Sequence, residues 1–472
     1  MARLTLRGRS LASLRSASSG SGSASASATG TPSHSGGSPT RSPAAPLPAA
    51  AVPRAAALRD PSGVYAYGSG DARRLAVVAR ASGAGVRELF TMPDAPSPAA
   101  PTAVDSLGES APVILAPIPA SGGDGGTALL VAYESSTGGA GEPTHLQLLQ
   151  GTVACRVRLA VNVSSVRTAT VAHGALYLIA AAHAAPDGGA LRLWRVPHAA
   201  VAAGLCGGGA SVPVAQVGAI APRSRLSHCG GSLVVVGTTG ADDAARLWVV
   251  DADGHAASHD IGGDASTTLP GDTLPGLACM GQSVVVLALA SGALAFVPVT
   301  GDVVEVVSPA PDAAPYTSPP RALTVVGNDR LCFLAAPPLP AAAASMTSDA
   351  SHSALFCWTA AGGIARVDGA RVPASVSWML PAPGAMSGGG VLYMPCTLAG
   401  APSAEGAVPH ACGYDFAAAA WRAVVDEATG APVGAPYSSF AVAGTATFFA
   451  GGARGARGGG GGDGSAALWQ LV

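Results

Sequence analysis

A unit of about 53 residues recurs along this chain, and that period constrains the fold more than any other feature. Each copy opens on a small residue or two, often Gly, and runs into a short stretch of β-forming residues. It then breaks at a Gly/Pro/Ser/Asp loop and closes on a second run centred on an aromatic. The clearest copies are HCGGSLVVVGTTGADDAARLWVVDADG at 228–254 and CMGQSVVVLALASGALAFVPV at 279–299. The first runs open at Leu75, Ala128, Leu176, Leu233, Val284, Leu331, Leu392 and Thr447, spaced by 53, 48, 57, 51, 47, 61 and 55 residues. The second runs keep the same beat through Phe90, Trp194, Trp248, Phe296, Trp358, Tyr414 and Trp469, with the aromatic missing only from the second copy.

The runs are short, β-branched and bounded by Gly, which predicts strands and disfavours a helical solenoid. One such unit cannot bury both of its faces, so neighbours must stack, and closing the stack into a ring protects the terminal edges. The predicted fold class is therefore all-β: a single β-propeller of seven or eight four-stranded blades over residues 60–472. Eight openings argue for eight blades, whereas an N-terminal partial copy completing the last blade would give seven.

Certain residues resemble known repeats. Phe448-Phe449-Ala450-Gly451-Gly452 is similar to the kelch strand that ends in Gly-Gly, and Tyr414-Asp415 followed by Trp421 has the kelch spacing of Tyr and Trp. No single copy carries both halves. A competing resemblance, to repeats of the chromosome-condensation-regulator type, rests on Ser62-Gly63-Val64-Tyr65-Ala66-Tyr67-Gly68 and Ser351-His352-Ser353-Ala354-Leu355. WD repeats fit less well, because no Trp-Asp dipeptide ends a strand. A kelch-like propeller implies a scaffold for protein partners; propeller enzymes of the galactose oxidase type, which resemble kelch proteins, imply copper held by tyrosines and histidines beside a modified Cys. Tyr393, Tyr414 and Cys396 supply residue types for that second reading without a distinguishing spacing.

Composition narrows the chemistry. The chain has no Lys, so all 26 basic residues are Arg, which excludes a P-loop lysine, a Schiff-base lysine and a lysine-rich nucleic-acid tail. A formal charge of −2 gives no net pull toward nucleic acid or an acidic membrane. No G-x-S-x-G elbow occurs, and the glutamates are scattered singly. The uncharged stretch 283–299 is long enough to span a bilayer, but Ser291-Gly292 divides it, predicting two buried strands and a tight turn.

Residues 1–59 contain no Asp or Glu and seven Arg, and 16–42 is almost entirely Ser, Gly, Ala, Thr and Pro. That composition predicts a disordered leader and fits a mitochondrial or plastid transit peptide as well as a plain polar tail. It carries no secretory apolar core, which leaves Asn162-Val163-Ser164 as a chance sequon and otherwise suggests the cytoplasm. The tract at 451–464 (GGARGARGGGGGDG) resembles RNA-binding RGG runs but has little charge, and reads as a hairpin loop of the last blade.

Eight cysteines include no C-x-x-C pair, and Cys332, Cys357 and Cys396 lie inside apolar strands, so buried free thiols in a reducing compartment are expected. His255 and His259 have an i, i+4 spacing without the adjoining Glu of a zinc protease, and Asp251-x-Asp253-Gly254 begins like a calcium loop but has Ala256 where an EF-hand needs Gly. No cofactor, metal or catalytic residue is expected. The expected function is a non-enzymatic protein-binding scaffold, the alternative being a hydrolase or oxidase at the mouth of the central channel. Such a scaffold is expected to be a monomer that binds neither nucleic acid nor membrane. Arg321, Arg366, Arg371 and Trp378 lie between the recurring strand pairs and are the candidate partner-binding residues.

Overall fold

The computed structural model describes residues 49–55, 58–80, 87–94, 101–104, 112–119, 126–133, 144–157, 163–182, 190–197, 212–213, 217–221, 224–239, 242–261, 276–300, 304–308, 315–327, 329–338, 352–376, 379–382, 390–398, 409–434, 440–443, 446–452 and 466–471, with 159, 268 and 269 as isolated positions. Among them the only helical segment is a 3-10 turn, Gly70–Ala72. The strands form successive antiparallel meanders. Five are separate sheets whose first strands are Arg59–Tyr67, Pro112–Pro119, Val163–Ala172, Arg225–Cys229 and Leu277–Met280. Twelve further strands join in one sheet that divides into three more meanders, beginning at Arg321–Val326, Leu380–Pro381 and Phe440–Ala443.

The eight meanders among the described residues are arranged as a ring. Their first strands contact one another in succession from the second meander to the seventh, and the first strand of the chain's first meander lies against that of the last. The arrangement is a β-propeller, with the first strand of each blade nearest the axis. Closure comes from Ala49–Ala55, which pairs antiparallel with Ala466–Leu471 as the fourth strand of the eighth blade (Ala51↔Leu471, Pro53↔Trp469). The same segment pairs parallel with the last strand of the seventh blade (Ala49↔Val424). The compact unit accordingly spans Pro48–Val472. Residues 1–47, with any targeting segment they carry, lie outside the described residues, as does the tract after Gly452.

Side-chain alternation explains why the recurring runs are apolar without a break. In Ala175–Ala182, Leu176, Leu178 and Ala180 pack with Leu130 and Leu148 of the second blade. Tyr177, Ile179 and Ala181 pack with Leu233 and Trp248 of the fourth. A strand buried on both faces shows no polar alternation. Between the fifth and sixth blades, Phe296 meets Trp358 with ring centroids 4.6 Å apart. The stretch that could have spanned a bilayer is the strand pair Val284–Ala288 and Leu294–Pro298 with Gly292 at φ +85 in the turn. No helix among the described residues is long and apolar enough to cross a membrane.

The cysteines correct the expectation of free thiols. Cys229–Cys279, Cys332–Cys357 and Cys396–Cys412 are disulfides, and Cys155 is also bonded. Cys229 and Cys279 are on the first strands of adjacent blades, 50 residues apart, so their repeat equivalence brings them together across a blade seam. At the same seam a Cβ on Gly230 would lie 1.8 Å from the Gln282 carbonyl oxygen, so the two hairpins approach backbone to backbone. Cys332–Cys357 and Cys396–Cys412 instead link paired strands within one blade.

Candidate functional site around the inner strands

The inner strands leave exposed several residues that carry chemistry or apolar area. Tyr65 and Val113, two of the large hydrophobic side chains left exposed, lie on the first strands of the first and second blades with 36% and 46% of their surface in water. Pro117 is exposed beside Val113. On the third and fourth blades the exposed inner-strand residues among those described are Arg167, Arg225 and His228.

Hairpin register gives the relative heights of these residues. Tyr67, Ala172 and Cys229 are each the last paired residue before the turn. Tyr65, Thr170 and Ser227 therefore stand at equivalent positions in their hairpins; Arg225 lies two residues further from the turn, and Arg167 falls within the register irregularity between Ser164 and Thr168. Burial pushes the Tyr65 hydroxyl up and the Arg225 guanidinium down.

His228 bridges the seam between the third and fourth blades, its Nε2 lying 2.7 Å from Thr170 Oγ1. Burial and then the neighbouring His173 hold its pKa below the ordinary 6.5. The unfolded chain thus takes up this proton at higher pH than the folded one. The associated stability is present above pH 6.5 and is lost as pH falls through that value toward the lower folded pKa. Replacing His228→Gln is expected to flatten the fall in melting temperature between pH 7.5 and about 5; an unchanged slope would remove His228 as a cause.

The candidates named from sequence do not form one patch. Arg321, Arg366 and Arg371 are all in strands of the sixth blade, not in inter-repeat loops. Arg321 is half-buried on the inner strand and donates to the Ala374 carbonyl and Ser353 Oγ. Arg366 and Arg371 are exposed on Gly363–Pro373 at the blade's outer edge, where Arg366 pairs with Asp368 at 2.9 Å. That strand is eleven residues long and its far end pairs with the seventh blade (Ala370↔Leu398), which is why its polar sequence reads as a linker. Trp378 lies outside the described residues.

Of the metal-like sequences, Asp251, Asp253 and His255 are all exposed and bring one donor atom each within 4.8 Å of one another; His259 is not part of that group. Asp251 Oδ1 already accepts the His255 N–H at 2.8 Å, and Arg195 donates to the Ala252 carbonyl at 3.1 Å, so the turn is held by its own bonds beside a cation. The copper reading loses its cysteine, because Cys396 is in a disulfide.

Comparison with known proteins adds similarities but no argument of its own. No family model and no curated protein matches this sequence. Among solved structures the chain is similar to the WD40 domain of Toxoplasma gondii coronin, with 11% identity, TM-score 0.41 and coverage of 73% of this chain and 78% of that one. It is also similar to the β-propeller domain of the Trilobed protease from Pyrococcus furiosus, with 8% identity, TM-score 0.39 and coverage of 76% and 95%. Prolyl oligopeptidase B from Galerina marginata is similar at 9% identity and TM-score 0.45, the match covering 84% of this chain and 56% of that longer one. Values this low carry no argument about activity, and the propeller assignment rests on the ring of four-stranded meanders.

Proposed function

We propose that the chain is a non-enzymatic protein-binding scaffold whose partner docks at the inner-strand face of the propeller. The observation that carries this reading is the gathering of exposed Tyr65, Val113, Arg167 and Arg225 on the inner strands of four consecutive blades. Tyr and Arg are the residue types that dominate binding hot spots, and exposed apolar side chains beside them supply the area a partner desolvates. The partner is a protein; nucleic acid and membrane surfaces are disfavoured by a chain with no Lys and a formal charge of −2. The chain itself acts as a monomer.

The kelch-type reading of the repeats is supported in one blade. Tyr414 and Trp421 face one another across paired strands with ring centroids 5.2 Å apart, and the Trp421 indole donates to the Asp368 carbonyl at 2.8 Å. Affinity capture with the tagged chain and with a Tyr65→Ala, Val113→Ala variant tests the scaffold reading. A partner retained by the first and lost from the second, at equal melting temperature, is the expected result. Failure of the native chain to retain any protein would overturn it.

A further inference from the structure

Of the disulfides described at both ends, two lie within a blade and one joins two blades. Cys332–Cys357 and Cys396–Cys412 link strands that are already paired, and all four of these cysteines are buried. Breaking either bond leaves the ladder around it in place, Leu331↔Trp358 and Phe333↔Phe356 in the sixth blade and Met394↔Cys412 and Cys396↔His410 in the seventh. Cys229–Cys279 differs on both counts. Its cysteines belong to two separate four-stranded sheets, and Cys279 alone among the six is partly exposed, its partner Cys229 being buried. The rest of that seam is apolar packing, Val234, Val236 and Leu247 of the fourth blade against Leu277, Val285 and Leu287 of the fifth.

We infer that the Cys229–Cys279 bond is a redox-sensitive clasp, opened in the folded protein by a dithiol reductant that leaves the two intrablade disulfides closed. Exchange begins where a thiolate can reach sulfur, and the partly exposed residue is Cys279. A reductant thiolate attacks Cys279 Sγ and forms a mixed disulfide with it, while Cys229 departs as a thiolate and takes up a proton. The reductant's second thiolate then attacks its own sulfur in the mixed disulfide and releases Cys279. The reductant leaves as a cyclic disulfide, having passed two electrons to the clasp. The buried pairs open only after their blades separate, which needs a larger excursion from the native state. Once the clasp is open, apolar packing keeps the seam together, so the response is a local loosening of Arg225–Cys229 and Leu277–Met280 and not unfolding. The device works whether or not a protein partner docks on the propeller.

The test incubates the oxidised full chain with dithiothreitol and no denaturant, quenches at intervals with iodoacetamide, and locates the modified cysteines by peptide mass spectrometry. No modification of the six is expected before reductant is added. Cys229 and Cys279 are then expected to be modified together, about tenfold or more faster than Cys332, Cys357, Cys396 and Cys412. Amide hydrogen exchange is expected to quicken in 225–229 and 277–280, to stay unchanged in 330–335, and to recover on reoxidation. Cys229→Ser with Cys279→Ser is expected to show the quickened exchange without reductant and no further change in these segments with it. Opening of the three disulfides at one rate, failure of the seam bond to open first, quickened exchange throughout the chain, or unchanged exchange at the opened seam would each overturn the proposal.

Discussion

Removing residues 1–57 is expected to destabilise the propeller by more than the about 5 kcal/mol that marks the most damaging single substitutions, whereas removing residues 1–47 is expected to leave its melting temperature unchanged. The first truncation takes away the strand Ala49–Ala55, the second stops short of the compact unit that begins at Pro48. Without that strand, Ala466–Leu471 becomes an open edge beneath the buried Trp469, and the parallel pairing to the seventh blade is lost as well. An unpaired edge recruits other chains, so the shorter protein is also expected to aggregate on size-exclusion chromatography. Thermal unfolding of the two truncations side by side gives the comparison. Equal melting temperatures would mean that the ring does not depend on its N-terminal strand.

Opening the Cys229–Cys279 disulfide by Cys229→Ser with Cys279→Ser is expected to cost about 4 kcal/mol, the loop entropy for a 50-residue separation. The pairs separated by 25 and 16 residues are expected to cost about 3.5 and about 3 kcal/mol. The larger effect belongs to the pair that crosses a seam between blades. Alkylation of the unreduced, unfolded protein followed by mass spectrometry checks the premise, with none of these six cysteines modified. Modified cysteines in protein folded under oxidising conditions would restore the free-thiol reading. Since disulfides persist in oxidising compartments and are scarce where thiols are kept reduced, the same measurement on protein from its native source reports on where the chain matures.

Half of each blade was legible in the sequence. The eight run openings, from Leu75 to Thr447, all fall in second strands, and the aromatics from Phe90 to Trp469 all fall in third strands. These strands are buried on both faces, so their apolar character is continuous and survives a composition dominated by Ala and Gly. First and fourth strands carry no such signal, because one side of each meets water. Ala256–Asp260 reads AASHD and Arg225–Cys229 reads RLSHC, and neither looks like a strand in isolation. Ala49–Ala55 shares its composition with the leader, and its role comes from backbone pairing, which has no side-chain signature.

The candidate site was hidden for the same reason. Arg167, Arg225 and Tyr65 precede the recognised strands, in segments that the repeat pattern leaves between copies. Arg321, Arg366 and Arg371 lie between the recurring strand pairs in the sequence, yet one is on the inner and two are on the outermost strand of the sixth blade. For the cysteines the signal was present: equivalent positions in adjacent repeats put Cys229 and Cys279 on neighbouring inner strands, where they bond.

Ring closure by the N-terminal strand is the claim on which the inner-face site depends, since an open arc would splay the first four blades. Amide hydrogen exchange of the native protein, read by mass spectrometry on peptides covering 49–55 and 466–471, tests it most directly. Slow, matched exchange in the two segments, with protection of 466–471 lost in the truncation of residues 1–57, is the result expected of a closed propeller. Exchange of 49–55 at the rate of an unstructured chain while 466–471 stays protected would contradict it.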